Sequence, residues 1–278
     1  MAPPTARIRL DELLVRRGHA PTREKARALV LAGRIHARGL AFPKPGQRVP
    51  DDLSLDVIPA PTYVSRGGVK LAHAVTHFGI DVRDRVCADI GASTGGFTDC
   101  LLQHGARRVY AIDVGYGQLD WSLRVDPRVV VMDRTNARYL EQLPEPVSLV
   151  VLDASFIAIR VLLPAVARIS DEQATLIALI KPQFEVGKGR VGKGGIVRDR
   201  RAHREVLESV AEAIRLAGHA LLGLTASPIR GADGNVEFLA HVRIDGSGVV
   251  RPSGPCVRET WVDDEIDRAL EEAHTGTI

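Results

Sequence analysis

Asp89, Gly91, Gly95 and Gly96, in the stretch DIGASTGGFTD, raise the first chemical question, because an acidic residue two places before a glycine and a glycine pair four places after it is the spacing of a ligand-binding turn. A phosphate-cradling P-loop needs lysine directly after its second glycine, and Phe97 stands there instead. A dinucleotide turn needs a middle glycine so that pyrophosphate can approach the backbone, and Ser93 occupies that place. Gly91, Ala92, Ser93 and Thr94 are small enough for a bulky ligand to lie against the chain, and the turn has no lysine or arginine to meet a phosphate. Asp113, in VYAIDVG, lies where a carboxylate accepts hydrogen bonds from both hydroxyls of a ribose, about 20 residues beyond the turn. Asp133, in VVVMDRTNAR, ends a further apolar run and is expected to reach an adenine amino group.

The elements that must position these residues follow from the hydrophobic pattern. Strands are predicted near Val86 to Ile90, Val109 to Asp113, Val129 to Met132, Leu149 to Asp153, Leu176 to Lys181, Leu221 to Thr225 and Phe238 to Arg243. Helices are predicted over Gly68 to Phe78, Gly96 to His104, Ile157 to Ala167 and Ala202 to Ala217, with a last one from about Trp261 after the loop DGSGVVRPSGP. Such alternation implies an α/β, doubly wound (Rossmann-like) and mostly parallel sheet of about seven strands covered on both faces. The front of the chain reads differently. Leu10, Leu13 and Leu14 fit a short helix closed by Gly18, Thr22 caps a second helix over Arg23 to Ala32, and RIHARG and LSLDVI suit small paired strands. IPAPT then breaks the pattern as a linker would, which predicts a small α+β domain over residues 1–60, a linker near 58–64 and a larger domain over 65–278.

The order D-x-G-x-x-x-G-G, then Asp113, then Asp133, at three successive strand ends, resembles the class I S-adenosylmethionine-dependent methyltransferases, and in particular the ribose-methylating FtsJ type. A ribose 2′-hydroxyl is a poor nucleophile near neutral pH, so such an enzyme needs a base and orienting charges. Lys70 in SRGGVKL, Asp153 after LVVL, Lys181 after LIALI and Glu237 in GNVEF supply two lysines and two carboxylates from four separate segments. Two neighbouring ammonium groups, partly desolvated, depress one another, and Lys181 is the expected proton acceptor, with Asp153 holding it and Lys70 and Glu237 orienting the ribose. A generic doubly wound domain whose carboxylates merely end strands is the alternative.

Over nearly its whole length the chain resembles the TlyA (haemolysin A) family, in LDELLVRRG, SRGGVKL, DIGASTGGFTD, DVGYGQLDWSLR, DRTNAR, KPQFEVGKG, GGIVRD and SPIRGADGNVEF. The resemblance implies a ribosomal RNA 2′-O-methyltransferase acting on cytidine in 16S and 23S rRNA of assembled subunits, fronted by an RNA-binding module of the S-four type. It carries the catalytic set to Lys70, Asp153, Lys181 and Glu237. The cofactor motifs fall on Asp89, Gly91, Ser93, Thr94, Gly95, Gly96, Phe97, Asp113, Asp133 and Arg134. Ala154, in DASF, departs from the more apolar residue frequent there and leaves the aspartate intact.

Charge supports an RNA partner. The net charge of +3 is unevenly held, with 11 basic against 6 acidic residues in the first 62 positions, and Arg16, Arg17, Arg23, Lys25, Arg27 and Arg34 are predicted to contact phosphates. The glycine-rich basic loop EVGKGRVGKGGIVRDRR is read either as a segment closing over RNA or as a solvated loop. Cys87, Cys100 and Cys256 are odd in number without C-x-x-C spacing, which predicts buried free thiols, and His73 and His77 lack the glutamate of H-E-x-x-H, so no metal is expected. The N-terminus scatters charges through any signal-peptide core, so a cytoplasmic monomer that does not enter membranes is expected. Two rivals remain. A membrane-active haemolysin needs more apolar surface than the charged front helices offer, and a non-catalytic ribosome-binding protein need not keep Asp89, Lys181 and Glu237 intact.

Overall fold

The computed structural model describes residues 6–58, 61–187, 192–231, 233–245 and 260–275. Cys256, part of the basic loop and most of the loop before the last helix lie outside these ranges. The chain divides into two compact units, Met1–Pro61 and Thr62–Ile278.

In the first unit the order is β1 (Arg7–Arg9), α1 (Leu10–Arg16), α2 (Arg23–Leu31), β2 (Ile35–Ala37), β3 (Arg48–Pro50) and β4 (Leu55–Val57). Thr22 accepts a hydrogen bond from the Lys25 backbone N–H and so starts α2, as its side chain predicts. Leu10, Leu13, Leu14, Ala26, Val30 and Val49 form the small core. Antiparallel pairs β1–β3 and β2–β4 complete the unit; β1 and β3, three residues each, carry too little alternation to be read from sequence.

The second unit runs α3 (Gly67–His77), β5 (Val86–Ile90), α4 (Gly96–Gln103), β6 (Arg108–Ile112), α5 (Trp121–Arg124), β7 (Val129–Met132), β8 (Val147–Leu152), α6 (Ile159–Ile169), β9 (Ser170–Ile180), α7 (Pro182–Glu185), α8 (Arg200–Leu216), β10 (Ala220–Ala226), β11 (Phe238–Arg243) and α9 (Thr260–Thr275). Its sheet has seven strands in the order β10-β11-β9-β8-β5-β6-β7. The run from β9 through β8, β5 and β6 to β7 is parallel, and β11 joins β9 and β10 antiparallel. Strand β9 begins well before the apolar run that predicted it, because Ser170 already pairs with Val147 of β8, ahead of a register shift before the Leu149–Thr175 pair. Helix α6 starts later than predicted, at Ile159, whose backbone N–H donates to the Glu185 carboxylate at 2.8 Å.

Both faces of the sheet are covered. Leu71, Val75, Leu101 and Leu102 of α3 and α4 pack on one, and Leu162, Leu163, Val166, Val206, Ile214 and Leu270 of α6, α8 and α9 on the other. Every residue of β5 is buried, as a central parallel strand requires. The connection from β5 passes through α4 on one face and that from its neighbour β8 through α6 on the other, which makes the carboxyl ends of β5, β6 and β8 the crevice where ligands of this architecture bind.

That crevice depends on Gly91. Its φ is +87°, and a Cβ added there would lie 2.6 Å from the Asp153 carbonyl oxygen, so the turn after β5 and the end of β8 touch backbone to backbone. Gly91→Ala is therefore expected to lower the unfolding free energy by about 2 kcal/mol or more, measured by denaturant titration; an unchanged midpoint would show that the two segments separate freely.

Candidate functional site

Two cavities open at the carboxyl edge of the sheet. One, of about 460 Å³, is walled by the turn after β5, the start of α3 and the four charged residues Lys70, Asp153, Lys181 and Glu237. The other, of about 470 Å³, lies between the ends of β5, β6 and β8 and is lined by Ile90, Ile112, Ala137, Ile157 and Leu162 around the polar groups of Asp113, Gln118 and Asn136. Gly91, Ser93, Asp153, Ser155 and Phe156 belong to both walls.

The charged set is arranged as two ion pairs. Lys70 Nζ meets Glu237 Oε2 at 2.5 Å, with both side chains almost covered. Lys181 Nζ lies 2.6 Å from Asp153 Oδ1 and donates a hydrogen bond to Ser155 Oγ at 3.0 Å. Each lysine thus faces its own carboxylate. Burial pushes the Glu237 carboxyl above its ordinary value of 4.5, and the Lys70 ammonium beside it only partly offsets that cost. Topology explains the convergence. Lys181 follows the buried β9, Asp153 follows β8, Glu237 precedes β11, and α3 carries Lys70.

Asp113 holds the second cavity open. Its Oδ2 accepts from the Ser93 N–H at 2.8 Å and its Oδ1 from the Gly115 N–H at 2.7 Å, and each oxygen keeps a lone pair for a further donor. Ser93, at φ 48°, is held in the left-handed region while its N–H is spent on that carboxylate. Among the described residues no lysine or arginine lines this cavity, which is an apolar slot with a carboxylate at one end.

Thr94, Gly96 and Phe97 line the lysine cavity, while Asp89, Gly95, Asp133 and Arg134 line neither. Gly95 begins α4 at φ +96°, packed against Leu119. The Asp133 carboxylate accepts from Arg124 at 2.9 Å and from the Gly117 N–H at 3.2 Å, which ties down the loop bordering the Asp113 cavity. Both contacts fall on Oδ2. The Arg134 guanidinium stacks on the Tyr116 ring at 4.3 Å.

Asp89 is fully buried and accepts from Thr98 Oγ1 at 2.7 Å, fastening the first turn of α4 from beneath, while its Oδ1 has no partner among the described residues. Burial drives its carboxyl up to about 7, against the Thr98 contact and helped by Asp153 and Asp113.

Sequence reasoning missed the loop after Asp153. Phe156 has φ 64° and is 89% exposed, with its ring 4.9 Å from that of Phe184. Neither glycine nor asparagine signals this conformation, so only the exposed aromatic beside DAS hinted at it. In the first unit, Arg16 pairs with Asp51, Arg17 donates to the Asp51 and Leu53 carbonyls, and Arg23 lies 3.6 Å from Asp11. These arginines therefore brace the unit itself. Lys25 and Arg27 are exposed on α2, and Lys25 and Arg34 border a cavity of about 400 Å³ with His19 and Leu29. Cys87 and Cys100 are buried and free, with thiols pushed up to about 12 by burial.

A doubly wound sheet with a glycine turn, a carboxylate at the next strand end and a paired lysine set defines an FtsJ-like methyltransferase domain. The FtsJ-like methyltransferase family matches residues 63–244, and the S4 domain family matches residues 8–36. The chain is 46% identical over 273 residues to YqxC of Bacillus subtilis, which carries an rRNA-methyltransferase name, covering 96% of this chain and 94% of that one. It is 44% identical over 270 residues to the 16S/23S rRNA (cytidine-2'-O)-methyltransferase TlyA of Mycobacterium tuberculosis, covering 96% and 98%. A solved structure from Streptococcus thermophilus bearing a hemolysin name superposes with a TM-score of 0.71 at 39% identity, covering 98% of this chain and 99% of that one. The chain belongs to the TlyA family of FtsJ-like methyltransferases. No helix among the described residues is long and apolar enough to cross a membrane.

The buried Asp89 carboxyl yields a stability test. Its folded value of about 7 lies above the 3.8 it has when unfolded, so its contribution to stability is full below pH 3.8 and is lost as the pH rises through 7. Above that pH the charge costs as much as about 4 kcal/mol. Asp89→Asn keeps an acceptor for Thr98, and its thermal midpoint relative to the parent is expected to climb between pH 4 and pH 8; a difference that does not change with pH would contradict a buried titrating carboxyl.

Proposed function

We propose that the chain methylates the 2′-hydroxyl of cytidine in the 16S and 23S rRNA of ribosomal subunits, acting in the cytoplasm as a monomer with S-adenosylmethionine as donor. The observation that carries this reading is the shared wall: a nucleoside-sized cavity and a cavity holding two lysine–carboxylate pairs meet at Gly91, Asp153 and Ser155. The names of the TlyA relatives, which specify cytidine-2'-O methylation of rRNA, favour the same substrate.

When bound, S-adenosylmethionine supplies an electrophilic methyl on a sulfonium centre. Asp113 binds the ribose hydroxyls of the donor, and the apolar residues beside it take the adenine. Lys181 in its neutral form receives the proton of the acceptor 2′-hydroxyl, and Asp153 stabilises the ammonium that results. Lys70 and Glu237, locked together, orient the acceptor ribose and offer no competing base while paired. Phe156 and Phe184 present an aromatic face on which the unstacked target base can lie. Lys25 and Arg27 of the front unit meet RNA phosphates, which positions the substrate without reading its sequence.

Three outcomes test the reading. Purified protein incubated with methyl-labelled S-adenosylmethionine and ribosomal subunits is expected to label the RNA, and Lys181→Ala to lose at least about a hundredfold in rate. No label with the parent, or equal label with the substituted protein, would refute it. Phe156→Ala is expected to raise KM for subunits with little change in donor Kd by calorimetry. On acidification, the rate is expected to fall with a midpoint above the ordinary glutamate value of 4.5, because burial raises Glu237 and its protonation breaks the Lys70 pair. A Glu237→Gln enzyme retaining that limb would assign it elsewhere.

A further inference from the structure

We infer that Ser155 is a positioning residue that aims the Lys181 lone pair at the acceptor hydroxyl, an inference that rests on the reading of Lys181 as proton acceptor. Lys181 Nζ has two neighbours of unequal kind. Asp153 Oδ1 is closer, at 2.6 Å, yet that oxygen receives no hydrogen bond of acceptable direction. The contact with Ser155 Oγ, at 3.0 Å, does have hydrogen-bonding geometry. Asp153 therefore fixes the charge and distance at Nζ, and Ser155 fixes its rotation.

Rotation matters because a neutral amine carries two hydrogens and one lone pair in three staggered positions about the Cε–Nζ bond. With one hydrogen given to Ser155 and the lone pair repelled from the side of the carboxylate charge, the lone pair is left for the third position. Remove the hydroxyl and the rotor distributes the lone pair among all three wells, so a smaller fraction of complexes can accept the proton as it leaves the 2′-oxygen.

The neighbouring residues join the Ser155 loop to the segment that carries Lys181. It lies in the wall common to both cavities. Its neighbour Phe156 is held at φ 64° with its ring against Phe184, and the Phe184 N–H donates to the Lys181 carbonyl at 2.9 Å. The loop after β8 and the turn that carries Lys181 thus meet at the Phe156–Phe184 ring contact. Glu185 extends this contact by accepting from Ile159 N–H, just beyond the same loop.

The test uses the full-length protein with ribosomal subunits, comparing Ser155→Ala, Ser155→Thr and Lys181→Ala with the parent. Ser155→Ala is expected to lower kcat about tenfold, leaving donor Kd and subunit KM within about twofold of the parent. Ser155→Thr, which restores an acceptor oxygen, is expected to recover most of kcat. An unchanged kcat in Ser155→Ala, a loss confined to KM or Kd, or a threonine no better than alanine would each overturn the inference. Activity retained by Lys181→Ala would instead remove the reading beneath it, and the role of Ser155 with it.

Discussion

Backbone meets backbone where the turn after β5 passes the end of β8, and only a residue without a side chain permits it. The Gly91 backbone stands so close to the Asp153 carbonyl that a single added carbon would press on it at 2.6 Å. Everything at the site is arranged around that approach. It joins the cavity of Asp113 to the cavity of the lysines, and it sets Asp153 in the wall they share. Had the turn stood off by the width of a methyl group, a ligand in one cavity and a hydroxyl in the other would be separated by protein.

Electrostatics works on this frame by pairing. Two lysines and two carboxylates lie in one cavity without net charge, because Lys70 is bound to Glu237 and Lys181 to Asp153. The pairs differ in enclosure and contacts. Lys70 and Glu237 are nearly covered, in a geometry that breaks only at the expense of a buried charge. Lys181 also holds a neutral hydroxyl, Ser155, and so retains a contact that does not depend on charge. Beneath the turn, Asp89 bears a different cost, since one of its oxygens fastens α4 through Thr98 and the other has no partner among the described residues. Its burial trades stability near neutral pH for a fixed glycine turn.

Much of this was legible in the sequence because it is periodic or chemically marked. The apolar runs before Asp113, Asp153 and Lys181 are buried parallel strands, and a charged residue directly after such a run emerges at the sheet edge. The seven-strand sheet and Thr22 as a helix cap followed from patterns of that kind. The division of labour among the carboxylates was not legible. Asp89 and Asp133 share their spacing with Asp113, yet they fasten α4 and the Gly117 loop, because hydrogen-bond partners are chosen by three-dimensional neighbours that spacing does not encode. The pairing of Lys70 with Glu237 was hidden for the same reason. The left-handed turn at Phe156 leaves no trace in residue type, since packing against Phe184 and not a permissive glycine sustains it. Charge counting likewise marked the front arginines without distinguishing Arg17, spent on carbonyls, from the exposed Lys25 and Arg27.

Determining the structure of the protein with S-adenosylhomocysteine bound tests the joined-cavity account most directly. The account requires the ribose hydroxyls on the Asp113 carboxylate, the adenine among Ile112, Ala137 and Leu162, and the sulfur at the wall beside Gly91 and Ser155 on the side of Lys181. A nucleoside seated outside the Asp113 cavity, or a sulfur facing away from the lysine cavity, would contradict it.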